Sequence, residues 1–222
     1  MKENGPLKRL SALLTENLHI DFKKNPIHLK MEGDAVSVEG MVDGIADKKR
    51  AILLAMGIEG TSGVIDRLRV KPARVMSDKE IYSHLINAIS EEPTLGPQDI
   101  RIEVKDAVVD IEGVVGSLSH KRLCGVFAWW VPGSVDVINS LEVEPPEEDS
   151  DDEISDALRV ALEKDLIVDE SAISVSTRNW VVTLSGTVKS ASQKEAAEAD
   201  AWYVWGLNEV VNKIKVAGKG RG

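Results

Sequence analysis

The sequence predicts an α+β fold: three tandem αββαβ units, each a small three-stranded mixed sheet covered on one face by two helices. Three observations carry this prediction. First, a gap-free register of 73 residues places Gly40 on Gly113 and Gly186, Val42 on Val115 and Val188, Lys48 on Lys121 and Lys194, Ala55 on Ala128 and Ala201, and Val70 on Val143 and Val216. Second, the apolar period changes within each copy from helical to alternating and back. Third, Gly60, Gly133 and Gly206 recur where a second helix must stop and a strand begin.

Each unit opens on a helix. Ile81, Leu85, Ala88 and Ile89 share one face in the second copy, and Ile154, Ala157, Leu158, Ala161 and Leu162 in the third. Leu10, Leu14 and Leu18 do so in the first, where the following connection is two residues shorter. Asp78 and Asp151 suit the helix starts as caps or as partners of the helix dipole. Two alternating runs follow, joined at Gly33-Asp34, Lys105-Asp106 and Arg178-Asn179. So short a connection forces an antiparallel hairpin. A second helix then presents Ala51, Leu54, Ala55 and Ile58, matched by Cys124, Phe127, Ala128 and Val131 and by Ala197, Asp200, Ala201 and Val204. Asp200 interrupts the apolar face. After the glycine stop, a right-handed crossover makes the third strand parallel to the second.

The units are expected at 1–72, 77–144 and 150–217, with 145–149 an acidic, proline-containing linker and 218–222 a disordered tail. Prolines and like charges make the second linker the looser of the two joints. Residues 1–76 carry a net charge of +3, 77–149 of -10 and 150–222 of -3, giving -10 for the whole chain. A chain so acidic repels polyanions, so nucleic acid is not an expected partner. No stretch is apolar and long enough to cross a bilayer, and no signal peptide is visible, which leaves a cytoplasmic protein or the mature form of a periplasmic one.

Little in the sequence points to chemistry. His19, His28, His84 and His120 do not recur across copies or pair at metal-ligand spacing. Cys124, the single cysteine, falls on a buried helix face where a small apolar side chain is wanted. No catalytic residues, metal site or cofactor are expected. The acidic run from Glu142 to Asp156 lacks the turn glycine and ligand spacing of a calcium loop. The informative surface residues are aromatic: Trp129-Trp130 and Trp202-Tyr203-Val204-Trp205 stand at the ends of second helices, several off the apolar face. They suit packing between repeats, a protein interface or a lipid headgroup boundary. In the first unit Lys23, Lys24, Lys30, Lys48, Lys49 and Arg50 are candidates for phosphate contact.

The motifs Val36-x-Val38-x-Gly40-x-Val42, Val109-x-Ile111-x-Gly113-x-Val115 and Val182-x-Leu184-x-Gly186-x-Val188 are each followed by a lysine-bearing helix, an alanine, the glycine and Val-x-x-x-Leu/Ile-x-Val. Together they resemble the BON domain over nearly the whole chain. Gly60-Thr61, Gly133-Ser134 and Gly206-Leu207 depart from the Gly-Val that family members often have there. The resemblance implies a non-catalytic binding module that engages phospholipid surfaces or envelope components, often under osmotic stress. Potassium binding, reported for some such proteins, has no readable ligand set here. The alternative is a protein-interaction or self-assembly scaffold without lipid binding.

Overall fold

The structure is a computed structural model that describes residues 5–18, 26–93, 95 and 99–217. His19, Lys23, Lys24 and the tail 218–222 lie outside the described residues. The chain forms two compact units, Met1–Pro72 and Ala73–Gly222, the second holding two repeats.

In the first unit α1 (Gly5–Leu18) precedes β1 (Ile27–Glu32), β2 (Ala35–Val42), α2 (Ile45–Met56) and β3 (Gly63–Val70). The second repeat has α3 (Asp78–Ser90), β4 (Asp99–Lys105), β5 (Val108–Val115), α4 (Leu118–Trp130) and β6 (Asp136–Val143). The third has α5 (Asp151–Lys164), a 3-10 turn Glu170–Ala172, β7 (Ile173–Arg178), β8 (Val181–Val188) and α6 (Ala191–Tyr203). Its last strand is split into β9 (Glu209–Asn212) and β10 (Lys215–Val216), both parallel to β8. Lys213 bridges the gap by donating its backbone N–H to Leu184 at 2.8 Å.

The second strand of each hairpin, β2, β5 or β8, is central in its sheet, antiparallel to the strand before it and parallel to the strand after the crossover. Register repeats with the fold: Ala35 faces Gly63, Val108 faces Asp136 and Val181 faces Glu209. One face of each sheet is closed by helices, and there Val36, Val38 and Val42, Val109, Ile111 and Val115, and Val182, Leu184 and Val188 are buried. Gly40 and Gly186 make the central strands possible. Both have positive φ (148° and 134°), and a Cβ would lie 2.6 Å from the Pro26 carbonyl oxygen and 2.0 Å from that of Ala172.

Four local expectations need correction. The hairpin turns of repeats 2 and 3 lie one residue later than the alternation implied: Asp106-Ala107 and Asn179-Trp180 hold both turn positions at positive φ, as a two-residue hairpin requires. Helices α3 and α5 are capped by Ser77 and Ser150, whose hydroxyls accept from Glu80 and Glu153 N–H. Asp78 and Asp151 are the first helical residues, placed to suit the helix dipole but not to cap, and their carboxylates reach across to the hairpins. Gly60 and Gly206 are left-handed (87° and 101°), but Gly133 is not among the positive-φ glycines. It is needed for space, since a Cβ there would meet Met76 Cβ at 2.7 Å. Finally, the acidic linker is pinned: Glu147 accepts the Leu118 N–H at 2.8 Å and Asp149 pairs with Arg122. The charges that should have extended the linker are neutralised by donors on α4.

Candidate binding surface

Helix α4 explains where the aromatic residues sit. Its residues from Arg122 to Ala128 are all buried, so it cannot be an ordinary surface helix with one wet face. It contacts β5 and β6 of its own repeat and also α3, α5 and α6. Val160 on α5 packs against the core of repeat 2, so the two repeats share apolar surface.

Five polar contacts tie this interface. Trp130 Nε1 donates to Asp200 Oδ1 at 2.8 Å. Arg122 donates Nε to the Trp205 carbonyl at 3.0 Å and pairs through Nη2 with Asp149. Ser119 donates to Glu153 at 2.8 Å, and Lys164 pairs with the buried Glu92 at 2.5 Å. Gly206 leaves the room this requires, since a Cβ there would stand 3.3 Å from Arg122 Nη2 and 3.4 Å from Asp149 Oδ2. The aspartate that interrupts the α6 pattern is therefore the acceptor for an indole from the preceding repeat. Burial, with a smaller contribution from Asp165, raises the Asp200 carboxyl to about 7 against the opposing pull of the Trp130 hydrogen bond.

The aromatic side chains converge here without sharing one environment. Trp202 is fully buried, Trp130 is half-buried and tilted on Phe127, and Trp129 stacks on Tyr203 with ring centres 6.0 Å apart. Only Trp205 among them is exposed, at 52%, with the Lys121 ammonium 5.3 Å from its ring centre. In the first unit the predicted cations separate. Lys48 is buried; it donates to the Leu68 carbonyl at 2.6 Å and pairs with Asp66 at 3.0 Å, an internal role. Asn139 and Asn212 stand at the Asp66 position of the other repeats and bond the carbonyls of Lys121 and Lys194. Burial lowers the Lys49 ammonium to about 7. Lys49 and Arg50 are half-buried, and Lys30 is exposed.

One exposed feature was not singled out from sequence. The loop after α5 presents Leu166, fully exposed, and Ile167, 57% exposed, beside Asp165; burial, and after it the charges of Asp200 and Asp165, raise the Tyr203 hydroxyl above its ordinary range. The signal was available in Asp165-Leu-Ile-Val-Asp169: three apolar residues between acids, beyond a helix end. Other chemistry is sparse. Cys124 is fully buried and its thiol is pushed up to about 12 by desolvation. Among the described residues no group of three or more His, Cys, Asp or Glu side chains is placed to hold a metal, and no helix is long and apolar enough to cross a membrane.

Comparison with known proteins finds a curated relative, solved structures and a family. Osmotically-inducible protein Y of Escherichia coli (strain K12) is 25% identical over 150 residues, covering 65% of this chain and 74% of the relative. Two solved structures of CdsD, a structural protein of the type III secretion system of Chlamydia trachomatis, align with it. The C-terminal domain has 12% identity and TM-score 0.27 over 88% of this chain and 93% of the other; the second structure has 14% and 0.28 over 96% and 95%. The family description of the BON domain matches residues 8–72, 77–145 and 150–218, once per structural repeat, and the chain is a member of the BON domain family with three copies in tandem.

Proposed function

We propose that this protein is a non-catalytic binding module that attaches to phospholipid surfaces through apolar insertion, in a response to osmotic or related stress. Family membership supports a role without catalysis, and a relative named for osmotic induction supports the setting. The observation that carries the lipid reading is the exposed pair Leu166 and Ile167, together with the outward indole of Trp205. Such side chains gain by leaving water, whereas the surrounding acids oppose attraction to anionic headgroups. Insertion, not phosphate capture, is the mode this surface fits.

The test is co-sedimentation with vesicles of mixed phosphatidylethanolamine and phosphatidylglycerol. Leu166→Ser with Ile167→Ser is expected to weaken binding by about tenfold or more, because two apolar side chains no longer leave water. Binding should persist at high salt. No vesicle binding, or binding that salt abolishes and the double variant leaves unchanged, overturns the reading. A protein-interaction scaffold is the second reading, favoured by the contrast in charge between a basic first repeat and an acidic second one.

A further inference from the structure

Edge strands present unpaired backbone groups, and folded proteins guard them with charge. The hairpin strands β1, β4 and β7 each lie at the edge of their sheet, with a neighbour on one side only. Equivalent positions on the open face read His28, Lys30 and Glu32 on β1, the last half-buried and paired with Arg67, and the exposed Arg101, Glu103 and Lys105 on β4. On β7 they read Ser174, Ser176 and Arg178. Two of three guards have become serine. The opposite edges are protected differently: β3 carries Arg67 and Arg69, β6 carries Glu142, and β9–β10 is interrupted.

A cleft of about 310 Å³ opens at the same strand, lined by Arg159, Glu170, Ile173, Ser174 and Val175. Arg159, paired with Asp156 on its own helix, reaches the Val175 carbonyl through Nη2 at 3.3 Å. Pairing at this edge therefore has to displace Arg159 from the Val175 carbonyl, and the strand has acid and base at its margins.

From this placement we infer that β7 is a self-association edge, at which two copies of this chain pair their third repeats antiparallel about a two-fold axis through Val175. The charge pattern is self-complementary in that arrangement. Residues equidistant from Val175 come face to face, so Ser174 of one copy meets Ser176 of the other, and Arg178 meets Ala172, two residues from Glu170. Each arginine therefore approaches the other copy's acid, twice per dimer, as a two-fold interface demands. The sheet continues across the axis from three strands to six. Neither Leu166 nor Trp205 takes part, so this surface is separate from the one proposed for lipid.

Sedimentation velocity of the full chain across concentration tests the inference, with amide hydrogen exchange as a second readout. A weak dimer is expected, with Kd about 10–100 µM, in keeping with a small interface. Exchange at the Val175 and Thr177 amides should slow as concentration rises. Ser174→Lys with Ser176→Lys, which sets like charges face to face across the axis, should weaken dimerisation about tenfold or more while leaving vesicle binding at high salt unchanged. A monomer at every concentration, a dimer without added protection on β7, or a dimer indifferent to the double variant overturns it.

Discussion

Asp200 shows how a single side chain reconciles opposed demands. It stands on a buried face where its counterparts are Leu54 and Phe127, and it is 2% exposed. Two groups act on it from the surrounding elements, the Trp130 N–H from α4 and Asp165 from the loop after α5, and on its own helix it faces Tyr203, whose hydroxyl is raised by burial first and then by Asp200. The hydrogen bond favours the charged form, while burial and the neighbouring carboxylate favour the neutral one, and burial wins. A carboxyl raised to about 7 in the folded state binds its proton more tightly folded than unfolded. Its contribution to stability is therefore complete below the ordinary carboxylate range and is lost as pH rises from there through about 7. Thermal melts should give a lower midpoint at pH 8 than at pH 5. Asp200→Asn, which keeps an oxygen acceptor for Trp130 and cannot ionise, should remove most of that difference; an unchanged pH profile would refute the assignment.

At the scale of the element, the recurring device is a carboxylate on the first helix that holds the hairpin. Asp78 accepts from the Asp106 and Ala107 N–H at 3.1 and 2.8 Å, and Asp151 from those of Asn179 and Trp180 at 2.7 and 2.8 Å. A turn with two residues at positive φ directs its amides to one side, and the aspartate supplies an acceptor there. Asp78→Ala or Asp151→Ala should cost about 1 to 3 kcal/mol by leaving two amides short of a charged partner, measured by urea unfolding. Asp→Asn should recover part of the loss. The element order, the parallel crossover and the buried faces were legible in the sequence because Val109, Ile111 and Val115 and their counterparts obey simple periods. The role of Asp78 was not, because cap and long-range acceptor look alike when only the chain direction is known. The turn position was also missed, since Asp106-Ala107 and Asn179-Trp180 lack the glycine that marks Gly33-Asp34. The candidate surface was legible only in part: Trp205 was found, but Lys48 could not be told from an exposed lysine without knowing that Asp66 waits beside it.

For the whole molecule, the repeats are alike in fold and unlike in how they are held. Repeats 2 and 3 form one compact unit because α4 is apolar nearly all round and carries one buried cation, Arg122, whose side chain is fully enclosed. A buried guanidinium is tolerable only while its acceptors remain in place. Those acceptors are Asp149 in the linker and the Trp205 carbonyl beyond α6, so the charge that makes α4 soluble in the core also requires the third repeat to dock. Among the described residues of the first unit, the core of Leu10, Leu14, Val36, Val38, Ala51, Ala55 and Leu68 is drawn from that unit itself. Calorimetry should therefore resolve two transitions, one for Met1–Pro72 and one in which repeats 2 and 3 unfold together. Arg122→Ala strands Asp149 and the Trp205 carbonyl and empties a buried site, so it should lower the second transition by about 3 to 5 kcal/mol and leave the first in place. Three independent transitions in the native chain, or equal shifts of both in the variant, would mean that the repeats are coupled by something other than this helix.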